Sequence, residues 1–146
     1  MHSKDILRLM LNSLYCLGNK KKEDYIVKAV FEMRILSMSG YMPNLVSCDR
    51  CKKYESNDIY FSKQKGILLC GNCRKSSDND LIRLTPGALA GLRHAVYAEW
   101  SKMFSFEVSS KSKEIFIFAA QSYLLNCVGK SLKTLNFYNQ IKAELE

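Results

Sequence analysis

The sequence predicts a mainly helical protein that carries a small β-hairpin insertion with a zinc-finger-like set of four cysteines. Apolar residues recur at helical spacing before residue 43 and after residue 81, and a short, turn-rich segment lies between these two parts. That segment contains two Cys-x2-Cys pairs. We therefore expect a helical domain formed by residues 1–43 and 81–146, and a four-cysteine insertion formed by residues 44–80.

The first two predicted helices precede the insertion. Residues 4–17 place four apolar side chains on one helical face, at Leu7, Met10, Leu11 and Leu14. A second helix is expected from about residue 23 to residue 39, with Gly40 as its C-terminal cap and Pro43 just beyond. The short connection between the two helices favours an antiparallel pair.

The insertion reads as a hairpin. Residues 58–61 and 67–69 are predicted strands, and the loop that joins them, residues 62–66, ends in Gly66. The polar residues 76–80 form a linker back to the helical part.

Helical spacing returns after the linker. Thr85 and Pro86 predict an N-cap and a first helical residue, followed by an apolar stripe at Leu89, Leu92 and Val96. A long helix is expected over residues 110–128, ended by Gly129, and a short last helix over residues 136–145.

Composition fits one folded domain, or a domain with a small satellite. The chain has 146 residues, 47% of them hydrophobic, with only two prolines, which excludes a disordered or fibrous protein. The longest apolar run, residues 115–120, is too short to cross a membrane, and the N-terminus does not resemble a signal peptide. We therefore expect a cytoplasmic protein with reduced thiols and no membrane partner. The formal charge of +8 favours a polyanionic partner.

The strongest motif consists of two coupled cysteine pairs, Cys48-x2-Cys51 and Cys70-x2-Cys73, with eighteen residues between them. The hairpin brings the second pair back to the first, and four thiolates in this arrangement suit a structural Zn²⁺ ion. Two disulfides, an iron centre and a redox-active pair are the alternatives. A zinc ion with four protein ligands has no open position for water, and the sequence offers no acid–base pair or phosphate loop, so we expect no enzyme.

Four stretches resemble the bacterial recombination mediator family RecO. They are FEMRIL at residues 31–36, SGYMPNL at residues 39–45, GILLC at residues 66–70 and GKSLKT at residues 129–134, in that order and together with both cysteine pairs. RecO-like proteins begin with an OB-fold barrel, for which there is no room before Leu7, so the chain resembles their zinc-bearing helical part only. The family often has glycine after the second cysteine, where this chain has Lys52.

The resemblance implies a role in DNA repair and recombination. RecO-like proteins anneal complementary single strands, bind the C-terminal tail of single-stranded-DNA-binding protein, and work with RecR to load RecA. We expect this chain to bind DNA, that acidic and aromatic-ended tail, or both. A zinc-ribbon adaptor that contacts another protein and no nucleic acid is the alternative.

Basic residues around the cysteines are candidates for contacts with DNA or a partner. The candidates are Lys52, Lys53, Lys63, Lys65, Arg74, Lys75, Lys130 and Lys133. Tyr54, Tyr60 and Phe61 lie among them and could stack on bases. Alternatively, the lysines form a solvated surface and the aromatic side chains pack beneath the hairpin. For Lys130 and Lys133, a structural role beside a helix end is equally compatible with the sequence.

Arg34 lies within the apolar stripe of the second predicted helix. It follows Val27, Val30 and Phe31 by seven, four and three residues. A charge at this position must be paired or bonded to backbone carbonyls. We therefore expect a buried structural arginine and not a DNA contact.

Overall fold

A computed structural model of the chain describes residues 3–145, and all their side chains except those of residues 131, 132, 134, 135 and 138. The described residues form four α-helices and a small four-stranded sheet with the cysteines at its edge. The predicted fold class is therefore confirmed.

The first two helices, α1 (Ser3–Gly18) and α2 (Asp24–Leu36), lie side by side. The buried residues of α1 are Leu9, Ser13 and Cys16. The four side chains of the predicted apolar face point elsewhere, and each is between 47% and 60% exposed. The apolar stripe that the sequence predicts for this helix is therefore about half exposed and does not form the buried side of α1.

A tight π turn, Ser37–Tyr41, follows α2. Gly40 in this turn has φ of +92°, a left-handed conformation that glycine adopts readily. The predicted terminating role of Gly40 therefore has a direct conformational basis.

The sheet has the strand order β1-β3-β2-β4. Its strands are β1 (Asn44–Cys48), β2 (Ile59–Ser62), β3 (Ile67–Cys70) and β4 (Leu81–Leu84). The antiparallel β2–β3 hairpin agrees with the sequence prediction, whereas the two edge strands were not predicted. β1 runs parallel to β3, and β4 runs antiparallel to β2.

Helix α3 (Pro86–Tyr97) begins as predicted and holds the edge strand β1 in place. The Thr85 side chain accepts a hydrogen bond from the Ala88 N–H at 3.2 Å. Near the other end of α3, the Arg93 Nε donates to the Leu45 carbonyl at 2.8 Å, and the Tyr97 hydroxyl accepts the Leu45 N–H at 3.0 Å. These contacts occupy polar backbone groups of β1 and fix the strand that ends in Cys48.

The last helix, α4 (Ser110–Leu145), runs unbroken for 36 residues. The predicted stop at Gly129 and the separate short helix after it are therefore wrong. Gly129 does not adopt positive φ, and a glycine inside a helix costs only about 1 kcal/mol relative to alanine, which a long helix tolerates. No helix in the described part of the chain has the length and apolar character needed to span a bilayer.

One hydrophobic core joins the helices and the inner face of the sheet. Phe61 and Leu68 from the strands pack in the same cluster as Met33, Leu92 and Phe116 from the helices. A second, smaller cluster surrounds Cys48 and Cys70. The division into a helical domain and an insertion stays a prediction. The hydrophobic core contains side chains from both of these parts.

Candidate metal centre

The four cysteines of the two pairs converge at one end of the sheet. Cys48 ends β1 and Cys70 ends β3, and since these neighbouring strands are parallel, their last residues lie together. Cys51 and Cys73 lie in the turn that follows each strand. All four Sγ atoms lie within 4.8 Å of one another.

The sulfur spacing fits a tetrahedral metal site. Bonds of about 2.3 Å to a central Zn²⁺ ion place tetrahedral sulfurs about 3.8 Å apart. The Sγ atoms of Cys51 and Cys70 are 3.7 Å apart, far beyond the length of about 2.05 Å that a disulfide requires. All four thiols are unbridged. The residues present are therefore able to hold one metal ion.

Backbone hydrogen bonds shape both turns around the thiols. The Lys52 N–H donates to the Cys48 carbonyl at 2.9 Å, and the Cys73 N–H donates to the Cys70 carbonyl at 3.1 Å. The Cys70 N–H donates to the Cys48 sulfur at 3.4 Å. Donors that point at a sulfur stabilise its thiolate form, which is the form that binds metal.

The thiols of Cys48 and Cys73 differ in acidity. Burial raises the pKa of Cys48, but backbone hydrogen bonds from Cys51, Cys70 and Arg50 outweigh it and lower the pKa to about 6. A side-chain hydrogen bond to Cys70 and then burial raise the pKa of Cys73 to about 12. Several thiolates this close repel one another, so a divalent cation that compensates their charge would release protons on binding.

Arg50 and Asp78 form a clasp over the turn that carries Cys73. Arg50 Nη1 donates to the Cys73 carbonyl, and the guanidinium group contacts both Asp78 carboxylate oxygens, at 3.0 and 3.3 Å. Asp78 also accepts the Lys75 N–H at 2.6 Å. Asp78 falls within the predicted polar linker, and nothing in its neighbours in the sequence indicates a partner twenty-eight residues away.

The candidate basic residues do not form one patch. Lys52, Lys53, Arg74 and Lys75 are exposed at the metal end of the sheet. Lys63 and Lys65 lie in the hairpin loop at the opposite end, about 13 Å of strand away. Lys130 donates to the Gln64 carbonyl in this loop, and Lys133 is exposed one helical turn further along α4.

Few aromatic faces near these lysines are free. Phe61 and Tyr60 are buried, and the guanidinium carbon of Arg74 lies 4.4 Å from the ring centroid of Tyr60. Tyr54 is exposed, but Arg93 lies over its ring at 4.6 Å. The packing of Tyr60 and Phe61 agrees with the alternative in which the aromatic side chains lie beneath the hairpin.

Arg34, a residue of α2, is half-buried against the C-terminal end of α3. Its Nη2 donates to the Ala98 carbonyl at 2.6 Å, and its guanidinium carbon lies 5.5 Å from the Trp100 ring centroid. Burial lowers the pKa of Arg34 from its usual value. A structural role for Arg34 stays a prediction that these contacts support.

Comparison with known proteins gives a consistent result. A family model described as "Recombination protein O C terminal" matches residues 3–136. The chain is 33% identical to the DNA repair protein RecO of Acetivibrio thermocellus over 132 residues, which cover 90% of this chain and 52% of the relative. It is 26% identical to RecO of Caldicellulosiruptor saccharolyticus over 140 residues, which cover 96% of this chain and 56% of the relative.

The chain spans about half the length of the curated relatives it matches. The similarity to RecO of Clostridium acetobutylicum, 24% over 142 residues, covers 97% of this chain and 56% of that relative. No solved structure gives a significant match.

Proposed function

The chain belongs to the family of the recombination protein O C-terminal region, and from this membership we propose that it is the zinc-bearing helical part of a recombination mediator. The family supports a role in DNA repair and recombination. The match over residues 3–136 is the observation that carries the proposal, because it includes every helix and strand that surrounds the metal centre.

Zn²⁺ is the metal that we propose for the four thiols. Thiolate ligands and tetrahedral spacing favour Zn²⁺ over harder cations, which prefer oxygen. Four protein ligands would leave no position for a reacting water molecule, so the ion would stabilise the turns and take no part in catalysis. We accordingly propose a binding role and not an enzymatic one.

The proposed partners are DNA, the tail of single-stranded-DNA-binding protein, and RecR. Binding to the tail would bring the protein to single-stranded DNA, where strand annealing and RecA loading occur. The positive formal charge of +8 supports binding to DNA and to an acidic peptide alike. We propose the bacterial cytoplasm as the location of this activity, and the unbridged cysteines support it.

A zinc-ribbon adaptor without nucleic-acid binding is the second candidate. The observation that favours it is the state of the residues around the metal centre, where Arg50 is paired with Asp78 and Tyr60 and Phe61 are buried. Such a surface offers protein contacts more readily than base stacking.

Titration of the zinc-loaded chain with two fluorescent ligands tests the proposal. One ligand is a single-stranded oligonucleotide and the other is the acidic tail peptide, each at low and at moderate salt. We expect both to bind, and the oligonucleotide affinity to fall steeply with salt because its phosphates release counterions. Binding of the peptide alone would support the adaptor function. If neither the peptide nor the oligonucleotide bound at low salt, the mediator role of this region would be refuted.

A further inference from the structure

A basic groove lies on the helical side of the molecule. Two cavities that share Lys21 and Lys22 in their walls form it, and we call their combined length the Trp100 groove. The first cavity, of about 530 Å³, lies between α1 and the turn at residues 100–105. The second, of about 280 Å³, continues past Phe106 to Lys113 on α4.

The charges of the Trp100 groove are unbalanced. The first cavity is lined by three cationic side chains, Arg8, Lys21 and Lys22, and by no carboxylate. The second adds Lys20 and Lys113 together with two carboxylates, and both carboxylates are occupied. Glu107 pairs with Lys22 at 3.0 Å, and Glu23 pairs with Lys113 at 2.9 Å.

Three cations of the groove therefore keep their donors available. In the described part of the chain, Arg8, Lys20 and Lys21 form no ion pair. Such cations are able to bind a phosphate without first breaking an internal contact.

Aromatic rings hold two of these cations in place. The Arg8 guanidinium carbon lies 4.8 Å from the Trp100 ring centroid, and the Lys21 Nζ lies 4.7 Å from that of Tyr15. A cation over a ring gains stabilisation from the ring while its N–H groups remain free for an anion. Phe104 and Phe106 add apolar surface to the walls.

The shape and length of the groove suit a strand better than a peptide end. A peptide terminus needs its cations around one pocket, whereas here they are distributed along two cavities. The part of α1 from Arg8 to Gly18 alone extends about 15 Å, the length of about four stacked nucleotides. Basic grooves lined with aromatic side chains are the usual way in which proteins bind single strands.

We propose that the Trp100 groove, and not the surface around the cysteines, binds the phosphates of single-stranded nucleic acid. This inference rests on the DNA binding proposed above and gives it a location. No local sequence pattern indicates the groove, because the groove combines residues 8, 20–22 and 100–113.

The fluorescence of Trp100 provides a direct test, because Trp100 is the only tryptophan in the chain. The zinc-loaded chain is titrated with an oligothymidine of about 12 nucleotides, within the range that single-strand binding folds cover. We expect a change in Trp100 emission on binding, and its reversal by added salt.

Charge-removing variants locate the binding site. The double variant Arg8→Gln, Lys21→Gln should lower the oligothymidine affinity about tenfold and reduce the salt slope by about 1.4, the value for two lost phosphate contacts. The matched control Lys52→Gln, Lys53→Gln removes two exposed charges at the metal end and should change the affinity less than twofold. Lys20→Gln, which alters no cation–ring contact, should weaken binding even if the double variant proves unstable.

Three results would overturn this location. If only the control variant lost affinity, the strand would bind near the cysteines and the proposed function would stand. If an acidic peptide changed the Trp100 emission and oligothymidine did not, the groove would be a peptide site. If the wild-type chain bound neither ligand, both the location and the mediator function of this region would be refuted.

Discussion

Lys52 has a left-handed backbone conformation that usually belongs to glycine. Its φ is +64°, and it directly follows Cys51 in the turn of the first cysteine pair. A side chain at such φ costs roughly 1–2 kcal/mol. The resemblance described above implies glycine at this place, so the departure at Lys52 coincides with local strain.

Replacing Lys52 with glycine should stabilise the protein. We expect Lys52→Gly to raise the free energy of unfolding by about 0.5–1 kcal/mol, because relief of the strain exceeds the extra entropy of the unfolded chain. Thermal denaturation of the zinc-loaded protein measures the effect. The matched control is Lys53→Gly at a position without positive φ, which should not gain stability. A larger gain in stability for the control would refute the assignment of backbone strain to Lys52.

Arg34 should matter more for stability than for DNA. Arg34→Ala removes the hydrogen bond that the charged guanidinium group donates to the Ala98 carbonyl. We expect this change to lower the free energy of unfolding by about 2 kcal/mol. Paired measurements of melting temperature and oligonucleotide affinity test the assignment. A variant that melts normally but loses DNA affinity would identify Arg34 as a DNA contact instead.

Tyr123 should make the free energy of unfolding depend on pH in the alkaline range. Burial raises the pKa of Tyr123 above its ordinary value, and its hydroxyl donates to the Tyr41 carbonyl at 2.6 Å. Since the folded protein favours the neutral phenol, this contribution is complete below about pH 10 and is lost as pH rises through the folded-state pKa.

The pH dependence is tested with a phenylalanine variant. Tyr123→Phe should be about 1 kcal/mol less stable at neutral pH, and the difference from wild type should shrink above about pH 10. The exposed Tyr25 provides the control variant Tyr25→Phe, which should follow the wild-type curve. A constant difference for Tyr123→Phe across the alkaline range would refute the assignment. Urea denaturation at several pH values gives the data.

The clasp between Arg50 and Asp78 joins two turns and should slow the loss of a bound metal ion. It links the turn after β1 to the turn after β3, so it restrains both pairs of ligands at once. Partners of metal ligands typically change metal affinity by 10–100-fold when removed. We expect Asp78→Asn to release Zn²⁺ to a chelating dye about tenfold faster than wild type.

The control for the clasp is Asp49→Asn. It makes the same chemical change beside the same cysteines, at an exposed position. Equal rates of metal loss for Asp49→Asn and Asp78→Asn would mean that general charge, and not the clasp, controls release. Rescue of an Arg50→Ala defect by Arg50→Lys would point to charge alone in the same way.

Local sequence patterns predicted where most helices and the hairpin begin. The edge strands β1 and β4 depend on pairing with strands that are distant in the sequence. The cap at Thr85 and the loop that ends at Gly66 act within a few residues, so the sequence displays them. β1 and β4 are short and owe their conformation to pairing with β3 and β2. The stop at Gly129 failed because one glycine has too small a penalty to end a long helix.

The same distinction applies to the candidate sites. Cysteine spacing predicted the convergence of four thiols, because two pairs and a hairpin bring the ligands together almost independently of the rest of the chain. The clasp and the Trp100 groove join residues that only the complete fold brings together. Neither has a local signature in the sequence.

In the molecule as a whole, zinc binding at the four thiols would change the charge available to a partner. Four thiolates and one Zn²⁺ ion would lower the formal charge from +8 to about +6. The reduction occurs at the end of the sheet and leaves the Trp100 groove as basic as before. A polyanion would therefore lose charge complementarity at the sheet and keep it along the Trp100 groove.

We propose that Cys48, Cys51, Cys70 and Cys73 hold one structural zinc ion. Elemental analysis of the reduced native chain, purified without added metal, tests it most directly. We predict one zinc per chain, retained in Cys16→Ser and Cys127→Ser and lost in Cys48→Ser and Cys73→Ser. A reduced, folded chain without zinc, or zinc retained by every variant, would refute a zinc site at these four cysteines.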